Sequence, residues 1–340
     1  MCGQIRTHGM LCWPQTIIQR RPTMKQFIIT EDFPMNEIEF DERFCNEQAC
    51  YDYLFHNRWP DGFVCTQCGN TDYWLSNRNL FICTNCQFNH SLTAGTIFNG
   101  TRKKLMLWFK ALWWFTTRKT GISALTLKAL LGLGSYNTAW TWLHKLRRCT
   151  IRDEREKLSG EVEVDEVYVG GRHSGKRGRG SENKLAVVVA AEKKGKKLGR
   201  IRLQVIENCS GEELMPFIQA NIKSGSSVVT DGWKGYNKLE EKGYTHDKVY
   251  QVKAQNKESV LPGVHMVASL IKRLFLGTYH GRLEKKYLQR YLDEYTFRFN
   301  RRNTKHVGKR FYRIVQQTVN TMPFSRKSII FGNISPLLAN

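Results

Sequence analysis

The 340-residue chain carries 53 Lys and Arg against 30 Asp and Glu, a formal net charge of +23 and a pI near 9.7. Such a field favours a polyanionic partner, and the interleaved Trp and Tyr suit nucleic acid better than a membrane surface. A bilayer-spanning role is set aside, because the most apolar run, "LMLWFKALWWF", is short and interrupted by Lys110.

Residues 1–34 have no periodicity and an odd composition, and no h-region of the kind a secretion signal needs. They are read as a leader of uncertain status, with Met24 and Met35 as alternative starts. Of the ten Cys, four sit in paired spacing and six are scattered. That usage suits a reducing cytoplasm rather than a disulfide framework.

Residues 35–99 form the expected zinc-ribbon region. Cys65, Cys68, Cys83 and Cys86 give C-x2-C, a spacer and a second C-x2-C, which places four thiolates around one tetrahedral, structural Zn²⁺. Gly69 and Asn85 are assigned to the two turns, and Tyr73, Trp74, Leu80 and Phe81 to a hairpin between them. Cys45 and Cys50 read as buried core thiols.

Residues 100–155 are expected to be helical. An amphipathic helix starts near Thr101 with Leu105, Trp108, Leu112 and Phe115 on one face, its tryptophans read as core. "GISALTLKALLGLGSYNTAWTWLHKLRRCT" reads as helix, glycine turn, helix. Leu125, Leu127, Leu130 and Leu131 line the first helix, and Ser135 caps the second. Short polar residues open that second helix and His144, Lys145, Arg147 and Arg148 close it, as a major-groove recognition helix requires. An ordinary helical hairpin has the same pattern.

Residues 156–303 carry the candidate chemistry. In "EVEVDEVYVGG", Glu161, Glu163 and Asp165 alternate with Val162 and Val164, so the acids share one strand face. Like charges so aligned repel unless a cation neutralises them, which favours a divalent metal over a solvent-facing edge strand. The Gly-rich basic segment "GGRHSGKRGRGSENK" reads as a loop. Two strands follow, then a helix opened by the capping pattern "SGEE", then the strand "SSVVTD". Asp231 at that strand's end is either a helix cap or a ligand. The element order suggests a ribonuclease-H-like α/β layout, in which Asp165 and Asp231 lie on neighbouring strands and hold catalytic Mg²⁺ or Mn²⁺. On this reading Asp231 is a ligand. The last helix turns Tyr287, Leu288, Tyr291, Leu292 and Tyr295 inward and gives Arg298, Arg301 and Arg302 either to a phosphate-contacting face or to a solvated helix end. Residues 304–340 read as a basic C-terminal tail.

The stretches "FDERFCNEQACYDYLFHNRWPDGFVCTQCG", "DEVYVGGRHSGKRGRGSENK", "VVTDGWKGYNKLEEKGYTH", "LPGVHMVASLIKRLFLGTYHG" and "YLDEYTFRFNRR" resemble the zinc-ribbon DDE-type transposases of bacterial insertion sequences, the ISXO-like group. The resemblance spans about residues 35 to 305. It implies a multidomain protein: a zinc ribbon, a helix-turn-helix region and a ribonuclease-H-like catalytic domain. It also implies metal-dependent cleavage at element terminal repeats, strand transfer into target DNA, and a homo-oligomer that holds two DNA ends. Asp165 and Asp231 match the first two catalytic acids, and Lys272 matches the family's lysine. The third acid position is occupied by Leu270, which has no donor atom. His265, on the Lys272 face, and Glu163 are candidate additional ligands, with Glu284, Asp293 and Glu294 more distant substitutes. The competing function is a non-catalytic DNA-binding protein derived from a transposase.

Overall fold

The computed structural model describes residues 31–152, 154–170, 184–250, 260–281 and 283–331. Most of the leader and nearly all of the basic loop after Gly170 lie outside them. The chain divides into two compact units, one containing Phe63–Ser91 and the other Asp32–Gly62 together with the chain from Leu92 onward.

In the smaller unit, β1 (Tyr73–Leu75), β2 (Leu80–Cys83) and β3 (Asn89–Ser91) form an antiparallel sheet in that order. Phe63, Tyr73 and Phe81 pack ring against ring beneath it.

The larger unit begins with α1 (Glu37–Arg43) and α2 (Glu47–Arg58), each capped by an Asn side chain, Asn36 and Asn46. Both pack against α3 (Leu105–Thr117) through Phe40, Phe44 and Tyr53. The expected ribbon region therefore contributes its first two helices to this unit. Cys50 is buried in it, whereas Cys45 is exposed because it precedes the α2 cap and is not on the helix face. Helix α3 starts four residues later than Thr101. The Glu47 carboxylate accepts from the Leu105 and Met106 N–H groups, so a distant acid caps the helix. Trp108 stacks on Trp142 with centroids 3.8 Å apart, so this tryptophan is core.

Helices α4 (Ala124–Leu131) and α5 (Tyr136–Arg148) are joined through Gly132 at φ 59°, and Ser135 caps α5 as expected. Only Leu127 of the four α4 leucines is buried; Leu125 and Leu130 are exposed.

The region that carries the candidate chemistry is built on a five-stranded mixed sheet. It comprises β4 (Glu161–Val169), β5 (Leu185–Lys194), β6 (Lys197–Ile206), β7 (Ser227–Thr230) and β8 (Thr245–Lys248), in the order β6-β5-β4-β7-β8. Strands β4, β5 and β6 are antiparallel neighbours, while β7 and β8 join in parallel. Helix α6 (Gly211–Asn221) covers one face with Leu214, Phe217 and Ile218. The Ser210 side chain makes no capping bond to it, so the expected capping box is not formed. Helices α7 (Pro262–Tyr279) and α8 (Lys285–Asn300) cover the other face with Val264, Val267, Ile271, Leu288 and Leu292. Each such side chain contributes about 1.5–3 kcal/mol by leaving water.

The expected tail instead contains α9 (Gly308–Asn320) and α10 (Arg326–Phe331). Phe311, Ile314, Val315 and Val319 recur at helical spacing and are buried, and Phe311 meets Phe40 and Trp113 edge-on. Among the described residues, no helix is long and apolar enough to cross a membrane.

One buried ionic cluster ties α5 to α8. Arg147 Nε donates to Glu294 at 2.7 Å, Arg298 donates to the other carboxylate oxygen, and the Tyr279 hydroxyl lies between Arg147 and Glu294. Burial opposes the Glu294 charge, yet the two arginines hold its carboxyl below the usual range. Arg147 and Arg298 are therefore structural cations and not phosphate contacts, and Glu294 is no metal ligand. His144 is buried as well, against Trp140 and Tyr287. Removing one charge from a buried pair costs about 3–5 kcal/mol. Glu294→Gln is expected to lower the urea midpoint by that equivalent, and an unchanged midpoint would refute the assignment.

Candidate functional site

The cysteine quartet is assembled by two knuckles of one design. Gly69 N–H donates to the Cys65 carbonyl and Gln87 N–H to the Cys83 carbonyl, with φ at 74° and 59°. The second turn thus places Gln87, and not Asn85, in the left-handed region. The four Sγ atoms lie within 4.8 Å of one another, with Cys65–Cys86 at 3.5 Å and Cys68–Cys83 at 3.6 Å. Tetrahedral Zn²⁺ at about 2.3 Å from each sulfur requires sulfurs about 3.8 Å apart, so the quartet fits the ion. The Cys86 backbone N–H beside the Cys83 sulfur, the largest influence on it, helps draw that thiol down to about 6. His90 Nε2 lies 3.3 Å from Cys65 Sγ, which orients the sulfur from outside the quartet. The sequence reading missed His90, although its place three residues after the second knuckle's turn was visible.

The two aspartates are positioned by β4 and β7, which run in parallel. The register pairs Glu161 with Ser227, Val162 with Val228 and Glu163 with Val229. Continued by two residues, it sets Asp165 across from Asp231, which directly follows β7. Gly232 at φ 78° then turns the chain, and Asp231 Oδ1 accepts from the Trp233 N–H at 3.0 Å. Asp165 Oδ1 accepts from the Glu166 N–H at 2.7 Å. One oxygen of each carboxylate is thereby oriented by backbone.

Tyr236 reaches back from a short 3₁₀ turn to donate its hydroxyl to Glu166, the residue after Asp165. Its phenol is held well above the ordinary range, first by burial and then by Glu166, Asp165 and Asp231. Glu166 accepts from this buried hydroxyl, and both aspartates lie near enough to raise it further. Neither Tyr236 nor Glu166 was singled out in the sequence, although both flank the aspartate motifs.

The other predicted site residues divide. His265 Nε2 is 3.8 Å from Asp165 Oδ2 and the ring is more than half exposed, so histidine and first acid share a site. Lys272 is exposed two turns further along α7. Leu270 is half-buried and packs on the core under α7. Glu163 has a different task from the one expected. It is 1% exposed, and its Oε2 accepts from the Val264 N–H at 3.0 Å in the first turn of α7. There it satisfies an orphan donor and complements the helix dipole. Glu161 pairs with Lys193 at 2.6 Å. Of the acidic face, Asp165 is the member that lies beside His265.

Chelation or Cys86→Ser is expected to remove about one Zn²⁺ per chain and abolish amide protection across Phe63–Ser91. Retention of both would refute a zinc-dependent ribbon. Glu163→Ala should cost about 1–3 kcal/mol by leaving a buried donor unmet, while Asp231→Asn should shift stability by under about 0.5 kcal/mol. Urea titration of both variants checks this, and equal costs would place Glu163 with the ligands.

Residues 157–300 match the ISXO2-like transposase domain, and residues 45–89 match the transposase zinc-ribbon domain. A protein of Halobacterium salinarum, described as an uncharacterized protein in transposable element ISH50, is 27% identical over 221 residues. That similarity covers 58% of this chain and 71% of the relative. With a thiolate quartet that fits zinc and both matches in chain order, the chain carries a transposase zinc-ribbon domain followed by an ISXO2-like transposase domain.

Proposed function

We propose that this chain is a DNA transposase that cleaves the terminal repeats of an insertion sequence and joins them to target DNA. The observation that carries the reading is the β4–β7 register, which continues to a carboxylate pair on adjacent strands. Hairpin strands followed by a helix and parallel strands support a ribonuclease-H-like assignment for this domain.

Asp165 and Asp231 offer hard oxygen donors suited to Mg²⁺ or Mn²⁺, and Mg²⁺ is commonly held by only one or two carboxylates plus substrate phosphate. Such an ion supplies Lewis-acid stabilisation of a phosphoryl oxygen and activates an attacking water or 3′-hydroxyl. The backbone donors to each Oδ1 fix the carboxylate planes. The Tyr236–Glu166 bond ties the loop after β7 to β4 and so limits how far the aspartates can separate. His265 lies at the edge of the pair, where it can meet a scissile phosphate, and exposed Lys272 can contact the backbone beyond it. For DNA binding, α4 and α5 fit a helix-turn-helix, with Tyr136 and Asn137 exposed at the start of α5. Two DNA ends held together call for at least two copies of the chain, acting in the cytoplasm.

Leu270 favours a second reading, a DNA-binding derivative without catalysis. Nicking of supercoiled plasmid with Mg²⁺ or Mn²⁺ separates the two. On the transposase reading Asp231→Asn lowers nicking by about 100-fold or more. Activity only in Leu270→Asn identifies a decayed enzyme with its first two ligands intact. Silence from both variants and the unmodified chain favours the DNA-binding reading.

A further inference from the structure

Off the β6 edge of the sheet, two strands away from β4, the linker between α5 and β4 closes a cavity of about 460 Å³ against α8. Five arginines line it: Arg152 and Arg155 from the linker, Arg200 and Arg202 from β6, and Arg301 from the end of α8. We propose that this cavity is a phosphate-binding site, separate from the Asp165–Asp231 pair.

The argument starts from how the guanidinium groups are satisfied. Arg200 is neutralised by Glu192 at 2.8 Å and Glu156 at 3.0 Å. Arg202, only 5% exposed, instead donates to two carbonyls, those of Ile201 and Glu156, at 3.0 and 2.6 Å. Arg301 donates to the Phe297 carbonyl and lies over its ring. Among the described residues, Arg152, Arg155, Arg202 and Arg301 make no ion pair with a carboxylate. Burying a cation without a counter-ion is costly, and burying several together adds mutual repulsion. The consequence is visible in the groups themselves. Arg202 is pulled down to about 10 by burial, then by Arg155 and Arg200, and Arg301 to about 10 by burial, then by Arg152.

The acids in the wall cancel this charge only in part. Glu156 is committed to Arg200, and Glu154 is exposed. Asp293 is buried, with Gln289 donating to it at 2.9 Å; burial raises its carboxyl to about 6 despite the arginines nearby, so at neutral pH it is mostly ionised and offsets one of the four unpaired arginines. A phosphate oxyanion offers what the carbonyls cannot, a full negative charge with several acceptor oxygens in the geometry of the guanidinium fork. The volume admits a phosphate with water, and the opening accepts either a free ion or one phosphodiester of a strand. Neither source requires the chain to be catalytic.

Full-length protein is titrated with a random-sequence duplex over a range of salt, and separately melted in inorganic phosphate. If the ligand is a DNA backbone phosphate, Arg155→Gln and Arg301→Gln weaken duplex binding uniformly and reduce the salt slope by about 1 each. If it is free phosphate, the slope stays unchanged, and phosphate raises the melting midpoint of the unmodified chain but not of either variant. Arg202→Gln should follow the same pattern when circular dichroism shows it folded; the two half-buried arginines carry the test if it is not. Slopes and phosphate-dependent midpoints that match the unmodified protein in both variants overturn the proposal. Plasmid nicking is read independently, so loss of catalysis does not count against the cavity.

Discussion

Three backbone pairings, Glu161 with Ser227, Val162 with Val228 and Glu163 with Val229, join two strands far apart in the chain and set everything at the site. Parallel pairing cannot be made by a hairpin, so the chain must first lay down β5, β6 and α6 before β7 can return to β4. The crossover helix α6 buries Leu214, Phe217 and Ile218 against the sheet, and that burial holds β7 in register. A shift of one residue would turn Asp231 away from the Asp165 face, because strand side chains alternate. Core packing and site geometry are thus one constraint.

The positive charge of the chain has two distinct uses. Arg147, Arg298 and Arg200 are consumed internally by Glu294, Glu192 and Glu156. Arg152, Arg155, Arg202 and Arg301 around the β6-edge cavity lack such partners among the described residues, and Lys272 stands exposed on α7. Formal net charge does not distinguish these groups. Arg147 and Arg298 fix the packing of α5 on α8, Arg200 ties β6 to β5 and to the linker before β4, and the cavity arginines and Lys272 can meet a polyanion without breaking these pairs.

Local signals were legible where the chemistry was local. The paired cysteine spacing, the alternating β4 strand, the Ser135 cap and the aspartate at the end of β7 each follow from a few adjacent residues. What the sequence did not convey depends on long-range partners. Glu163 reads as a ligand beside Asp165 until α7 arrives about a hundred residues later with a bare N-terminus. Arg298 reads as a phosphate contact until Glu294, one turn earlier, proves buried beside Arg147. The helix in the tail was legible and missed, since Phe311, Ile314, Val315 and Val319 carry the period of a buried face. Basic composition hid that period.

The same partitioning explains how Leu270, where the family resemblance implies a third acid, leaves the fold undisturbed. Helix α7 is fixed at its start by Glu163 and along its length by Val264, Val267, Ile271 and Phe275 in the core. Leu270 lies on the flank of that face and adds apolar contact to it. An acid there would gain its value from a bound cation and not from the helix's own packing. Replacing it with leucine removes an oxygen donor, relieves charge repulsion among the remaining carboxylates and leaves the anchoring bond untouched. The contacts that hold α7 and the β4–β7 register are thus made without a donor atom at position 270.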